Sequence, residues 1–136
     1  MDLATVRGMP KSHEELICWQ LSDQLRQLII EHTKDGAAAR DFRFTSNLRD
    51  AISSACRNQA EGFYLFKHRA QRPYFNRARA SLGETKDGIR DGLQRGYFSP
   101  DAAKEMTSLC GRAMIANLRW IKSLERPDPD ASHGSA

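Results

Sequence analysis

Apolar side chains return every third or fourth residue over four separate stretches of this chain, and that period is the signature of amphipathic helices. In the first stretch Cys18, Leu21, Leu25, Leu28 and His32 fall along one stripe. In the second, Leu48, Ile52, Ala55, Gln59 and Phe63 do so, with Ala and Gln thinning the line. Phe75, Ala78, Leu82, Thr85, Ile89 and Gly92 form the third. The fourth is the cleanest: Ala103, Met106, Cys110, Ala113, Asn117, Trp120 and Leu124. No alternating β pattern competes. Four helices of comparable length joined by short loops predict an all-α fold, an antiparallel up-down-up-down four-helix bundle.

Local signals place the ends. Ser12 with Glu15 three residues on has the pattern of a capping box and opens the first helix, which Lys34-Asp35-Gly36 closes. A loop over residues 36–44 leads to Thr45 or Ser46 as the second cap. Pro73, with its fixed φ and missing N–H, suits the first position of the third helix, and Gly96 closes it. Ser99-Pro100-Asp101 then opens the fourth. Gly83, Gly88 and Gly92 inside the third helix each cost about 1 kcal/mol against Ala, which close approach by a neighbouring helix would offset. The organisation is therefore a flexible segment over residues 1–11, the bundle over 12–125 and a disordered, proline-rich polar tail over 126–136. A second apolar line on the fourth helix (Leu109, Met114, Leu118, Ile121) predicts another contact surface, most simply for a second copy of the chain.

The 136 residues suffice for one domain with its own core. No apolar run approaches the roughly 20 residues that span a bilayer, and MDLATVRGMPKSHEE lacks the apolar core of a signal peptide. Cys18, Cys56 and Cys110 are widely spaced and sit among apolar residues, which suits buried, reduced thiols in a cytoplasmic protein. Enzymatic and cofactor chemistry finds little support. There is no Glu-x-x-His pair for a di-iron bundle, and HEELI at His13 lacks the second histidine of a zinc-protease helix. His13, His32, His68 and His133 have no metal-ligand spacing with the cysteines, and neither a P-loop nor a dinucleotide fingerprint occurs. The expectation is a non-enzymatic protein with no cofactor and no metal.

One segment stands apart. FYLFKHRAQRPYFNRARA, Phe63–Ala80, carries five Lys or Arg residues and five aromatics without a single acid, in a chain of net charge +4. On a helical wheel Arg72, Arg79, Lys86 and Arg90 fall within about 40° of one another, beside the Phe75/Leu82/Ile89 stripe. Glu84, Asp87 and Asp91 form an acidic ridge on the other side. A cationic flank of this kind supplies the sequence-independent electrostatic attraction of nucleic-acid binding, and Lys67, Arg69 and Arg77 extend it from the turn between the second and third helices. Tyr64 or Tyr74, if exposed, would stack on unpaired bases. Phe63, Phe66 and Phe75 are assigned mostly to the core. The bland alternative is that these charges are solvated, or that the cationic flank meets the acidic flank of an adjacent subunit in a protein–protein scaffold. Asn58 and Glu61 share a helical face, and their structural reading, hydrogen bonds to backbone or to an arginine such as Arg49, outweighs a ligand or metal site.

EELICWQ (Glu14–Gln20), LRDAISSACRNQAEGF (Leu48–Phe63), YFNRARASLGET (Tyr74–Thr85) and GYFS (Gly96–Ser99) carry a family likeness. In these stretches the chain resembles the bacterial four-helix-bundle proteins of the large-subunit ribosomal RNA intervening-sequence family. That group includes the accessory variability proteins of diversity-generating retroelements. Cys56 stands where the family commonly has proline, Ala80 where it has glycine, and Arg77 and Arg79 where apolar residues are frequent. The resemblance implies a four-helix bundle that assembles as a homo-oligomer, a five-membered ring (pentamer). For the retroelement branch it also implies binding of nucleic acid and of a reverse transcriptase. The expected function is RNA or DNA binding through Lys67, Arg69, Arg72, Arg77, Arg79, Lys86 and Arg90.

Overall fold

The computed structural model describes residues 9–128. Residues 1–8 and 129–136, which hold most of both predicted flexible ends, lie outside the described residues. The order is a single 3-10 turn at His13–Glu15, then α1 (Ile17–Thr33), a short α2 (Gly36–Arg40), α3 (Phe42–Phe63), α4 (His68–Gln94) and α5 (Pro100–Ser123). There is no strand among the described residues. Helix α1 packs on α3 and α5, and α4 packs on the same two. Contacts between neighbours run in opposite directions. Along α3 and α4, Phe44 and Leu48 lie where Cβ atoms on Gly92 and Gly88 would go, the Ser54 and Ser81 hydroxyls are 3.0 Å apart, and Gly62 abuts Phe75. Between α4 and α5, Cys110 Sγ donates to the Leu82 carbonyl at 3.3 Å and Trp120 Nε1 to Gln71 Oε1 at 3.3 Å. The long helices therefore form a bundle.

Three of the expected helix starts move, each for an identifiable reason. Ser12 makes no side-chain cap. The Glu15 carboxylate accepts the Lys11 backbone N–H instead, and the chain breaks at Leu16, whose extended backbone turns a 2%-exposed side chain into the core. Helix α3 begins at Phe42 rather than after Thr45, because Asp41 is its cap: Asp41 Oδ1 accepts the Phe44 N–H at 3.1 Å. Thr45, buried one turn in, donates its hydroxyl to the Ala38 carbonyl at 2.6 Å, which secures α2 inside the predicted loop. Helix α4 begins at His68, so Pro73 lies inside it rather than at its first position. The expected ends do appear at Gly96 and Ser99. Gly96 has φ +77°, with its N–H on the Leu93 carbonyl and that of Tyr97 on the Gly92 carbonyl, the paired bonds of a Schellman ending. Ser99 Oγ accepts the Ala102 N–H at 3.1 Å ahead of Pro100.

All six residues of the third stripe, Phe75 to Gly92, are buried, as are Leu48, Ile52, Ala55 and Gln59 of the second. Fully burying a side chain such as Phe75, Leu82, Ile52 or Met106 contributes about 1.5–3 kcal/mol. The α1 stripe is rotated from its expected line: Ser22, Ile29 and Thr33 are buried with Cys18, Leu21 and Leu25, while Leu28 and His32 sit at the margin. The polarity of Thr33 is absorbed locally, since its hydroxyl donates to the Ile29 carbonyl at 2.6 Å. Two amides cross the core. Gln59 Nε2 donates to Asn117 Oδ1 at 3.1 Å, and Asn117 Nδ2 donates to the Phe75 carbonyl at 3.0 Å.

The glycines of α4 divide by what surrounds them. A Cβ on Gly92 would lie 2.8 Å from Phe44 Cζ and closer still to the Phe98 ring, whereas one on Gly83 would meet nothing within 4 Å. Gly92→Ala is expected to lower stability by about 1–3 kcal/mol through overpacking. Gly83→Ala should raise it by about 0.5–1 kcal/mol through helix propensity. Thermal or urea melts of the two variants against the parent measure both signs.

Candidate nucleic-acid interface

Helix α4 carries most of the predicted cations, and the structure divides the seven. Lys86 and Arg90 lie along the flank that faces α5, and the exposed Arg79 falls in line with them at helical spacing. Lys86 and Arg90 there border a shallow cleft with Gly83, Leu93, Ala103 and Thr107. Arg72 continues this flank toward the start of α4, its guanidinium donating to the Leu124 carbonyl at 3.3 Å. Lys67 and Arg69 sit at the N-terminal end of the helix, both exposed. Arg77 is on the opposite side, toward α3, with its guanidinium 4.4 Å from the Tyr74 ring centroid and its Nε donating to Asn58 Oδ1 at 3.3 Å.

All seven are exposed. Among the described residues only Arg90 has a carboxylate within salt-bridge distance, Asp87 at 2.8 Å. That pair is local to one helical turn and solvated. The hydrogen bond from Arg90 holds the Asp87 carboxyl below its usual range, and Asp87 holds the guanidinium pKa up. Surface pairs of this type contribute little to stability.

Aromatic placement differs from expectation at one position. Phe75 is fully buried and Phe63 partly so, but Phe66 is 59% exposed at the α3–α4 turn. Leu65 and Gly62 close that turn through a backbone hydrogen bond, and the turn leaves Phe66 no core to enter. Tyr64 is 60% exposed beside it. Its hydroxyl lies 3.2 Å from the His13 backbone nitrogen and 3.0 Å from His13 Nδ1, and its ring packs edge-to-face with those of His13 and Phe63. Tyr74 is half-buried under Arg77.

The polar set resolves into separate contacts. Arg49 turns to α1, donating from Nε to Thr33 Oγ1 at 2.9 Å and from a terminal nitrogen to the Ile30 carbonyl at 3.4 Å. It therefore does not pair with Asn58 or Glu61, which lie more than two turns further along α3. Asn58 Nδ2 donates to the Ser54 carbonyl at 2.9 Å, and its arginine is Arg77. Glu61 points to solvent. The three thiols are free and buried. Burial pushes Cys18 and Cys56 up to about 12 and Cys110 up to about 11, far from a reactive thiolate at neutral pH. Among the described residues no group of three His, Cys, Asp or Glu side chains is arranged to hold a metal ion. No helix among them is long and apolar enough to cross a membrane.

Two features escaped the sequence reading. A cleft of about 530 Å³ runs between α3 and α4, bordered by Asp41, Asp50, Glu84, Asp87 and Asp91 with Arg43 and Arg95. At one end of it Asp41 Oδ2 accepts the Tyr97 hydroxyl at 2.6 Å and Arg95 at 3.4 Å, while Asp91 takes Arg95 Nε at 3.0 Å. The second feature is a contact between His68 and the segment Arg126–Asp128, in which the His68 N–H meets the Asp128 carboxylate and the His68 ring meets the Arg126 carbonyl. Only the acids themselves were visible beforehand; the partners of Asp41 (Arg95 and Tyr97) and of Asp128 (His68) lie more than 50 residues away.

A family model described as the 23S rRNA-intervening sequence protein matches residues 14–116. The chain belongs to that family. The family match runs from the first turn of the bundle through most of α5 and includes all seven cations. In this member of the 23S rRNA-intervening sequence family, Asn117, Trp120 and the segment Arg126–Asp128 fall beyond the matched span. Among curated proteins, none matches significantly.

The Asp41 cluster carries a pH dependence. The Tyr97 hydroxyl first, then the Phe44 N–H, hold the Asp41 carboxyl below its usual range. A carboxyl whose folded pKa is depressed contributes stability above its unfolded pKa and loses it as pH falls through the folded value. Tyr97→Phe should therefore narrow the gap between the melting temperatures at neutral and strongly acidic pH, chiefly by lowering the neutral one. Melts of both proteins across that range measure it.

Proposed function

We propose that this chain is a non-enzymatic, self-associating helical bundle that binds RNA or DNA through the cations of α4 and the turn before it. The observation that carries the reading is the state of those cations: seven exposed Lys and Arg side chains on one helix and its cap, six without a carboxylate partner among the described residues. From Arg72 to Arg90 the flank extends roughly 27 Å at 1.5 Å per residue, the axial length of about eight base pairs. Arginine on a rigid helix suits phosphate, to which its planar fork donates in pairs. The exposed Tyr64 and Phe66 beside Lys67 offer ring faces for unpaired bases, which favours a single-stranded or looped ligand. The family description, with its reference to 23S rRNA, is consistent with an RNA ligand. A reverse-transcriptase partner, implied only by the retroelement branch of the resemblance, belongs to the same proposal.

Lys67, Arg69, Arg72, Arg79, Lys86 and Arg90 are assigned to phosphate contacts, with Arg77 and Tyr74 as an adjoining cation–aromatic pair. Contacts of this kind position a nucleic acid without reading its sequence, so affinity should depend on salt far more than on base order. Binding to a labelled single-stranded RNA, titrated at several salt concentrations, should give a log–log slope of about −0.7 per phosphate contacted. Arg72→Glu/Arg79→Glu should weaken binding roughly tenfold or more and flatten that slope by about two contacts' worth. Unchanged affinity in the double variant removes the surface from consideration.

The acidic cleft between α3 and α4 favours a second reading, in which it receives the cationic flank of another copy and the charges organise assembly. Under that reading Arg79→Glu and Glu84→Arg each dissociate the oligomer, and the double swap partly restores it. Light scattering on the three variants separates this outcome from one in which assembly is indifferent to both charges.

A further inference from the structure

The start of α4 is held by the chain's own C-terminal segment. Lys67, at the cap position, has no side-chain oxygen to receive the first N–H groups of the helix. The His68 backbone N–H donates to Asp128 Oδ1 at 2.7 Å, and the His68 ring donates through Nδ1–H to the Arg126 carbonyl at 2.8 Å. One turn further on, Arg72 donates to the Leu124 carbonyl. Lys67 and Arg69 flank the same turn and are exposed. Asp128 thus places a carboxylate at the start of α4, on the His68 N–H and 3.9 Å from the His68 ring, where the helix end favours negative charge. The segment that carries it has no regular secondary structure. A short extended stretch attached through a few surface hydrogen bonds is readily displaced by a ligand that makes many contacts at once.

We infer that Arg126–Asp128 is an internal competitor for this end of the nucleic-acid surface. Its carboxylate and carbonyl oxygens occupy the two His68 donors, in the turn that Lys67 and Arg69 flank, which phosphate oxygens would otherwise take, so attachment of the segment and docking of a polyanion on that turn exclude each other. The inference rests on the reading under Proposed function and adds a regulation to it. Whatever holds or releases the C-terminal segment sets the affinity of the surface.

The test uses the full chain with Asp128→Ala, Asp128→Asn and, as a control, Asp35→Asn. Asp35 is exposed, makes no side-chain cap and lies at the opposite end of the bundle, so its loss changes net charge equally without touching the segment. Binding to a labelled single-stranded RNA at low salt is read by fluorescence anisotropy. Asp128→Ala should bind about fivefold tighter than the parent, and Asp35→Asn should stay within about twofold of it. Asp128→Asn, which retains an oxygen for the His68 N–H but not the charge, should fall between. If Asp128→Ala does not fold, tightening by Asp128→Asn beyond the control is the required result. Equal affinities for the Asp128 and Asp35 variants overturn the competitor and leave the RNA surface standing. Absence of binding by every protein overturns both.

Discussion

Where α3 crosses α4 the two backbones come so close that side chains on both would collide. A Cβ on Gly62 would stand 2.7 Å from Tyr74 Cβ, and one on Gly88 equally near Leu48 Cδ1. Gly92 leaves the space that Phe44 and Phe98 fill. Glycine is a poor helix former, yet here it lets Leu48, Phe44 and Phe75 reach full or nearly full burial. The same approach orients the outer surface of α4. With Phe75, Leu82 and Ile89 committed inward, Glu84 and Asp91 border the seam with α3, Lys86 and Arg90 border the cleft on the α5 side, and Asp87 lines both. Separation of charge on one helix thus follows from how its apolar face is packed.

That separation decides what kind of electrostatics the surface can exercise. Arg72, Arg79 and Lys86 are spaced seven residues apart, about 10 Å along the axis. The screening length at physiological salt is about 8 Å, so the three cations act on whatever touches them more than through a far-reaching field. The local pairs, Arg90 with Asp87 and Arg26 with Asp23, bridge a single turn and neutralise only themselves. Inside the bundle the opposite policy holds. The thiols are protonated by burial, and the threonine and amide groups find partners, with only Ser22 Oγ and Gln59 Oε1 left unpaired among the described buried atoms.

The helical bundle was legible because packing and sequence period report the same thing. Every position of the Phe75–Gly92 stripe is buried, and Ser99-Pro100 caps α5 as its chemistry dictates. Starts were less legible than ends. A Ser or Thr before an apolar run suggests a cap, but Asp41 captured α3 through the Phe44 N–H, and Leu16 was drawn inward ahead of α1 by packing with Phe75 and Leu124, distant in sequence. Pro73 misled because α4 begins five residues ahead of it, at His68, whose N–H is met by Asp128 from a distant part of the chain. Exposure of the cations along α4 follows from the wheel. Their division into an α5-facing row, an end cluster and Arg77 on the far side does not, because it depends on which neighbours the helix has. Arg49 shows the same limit, its partner Thr33 lying on α1 rather than on its own helix.

The amide pair in the core bears on slippage. Leucine-rich rods can slide past one another by a turn and still bury oily surface, which is how loosely specified bundles end as mixtures. Here Gln59 and Asn117 interlock with a carbonyl of a third helix, and displacing α5 by one turn would strand both amides among methyl groups, where an unmatched polar group is costly. The two bonds thus favour one axial alignment of these three helices, at the cost of an unpaired Gln59 Oε1.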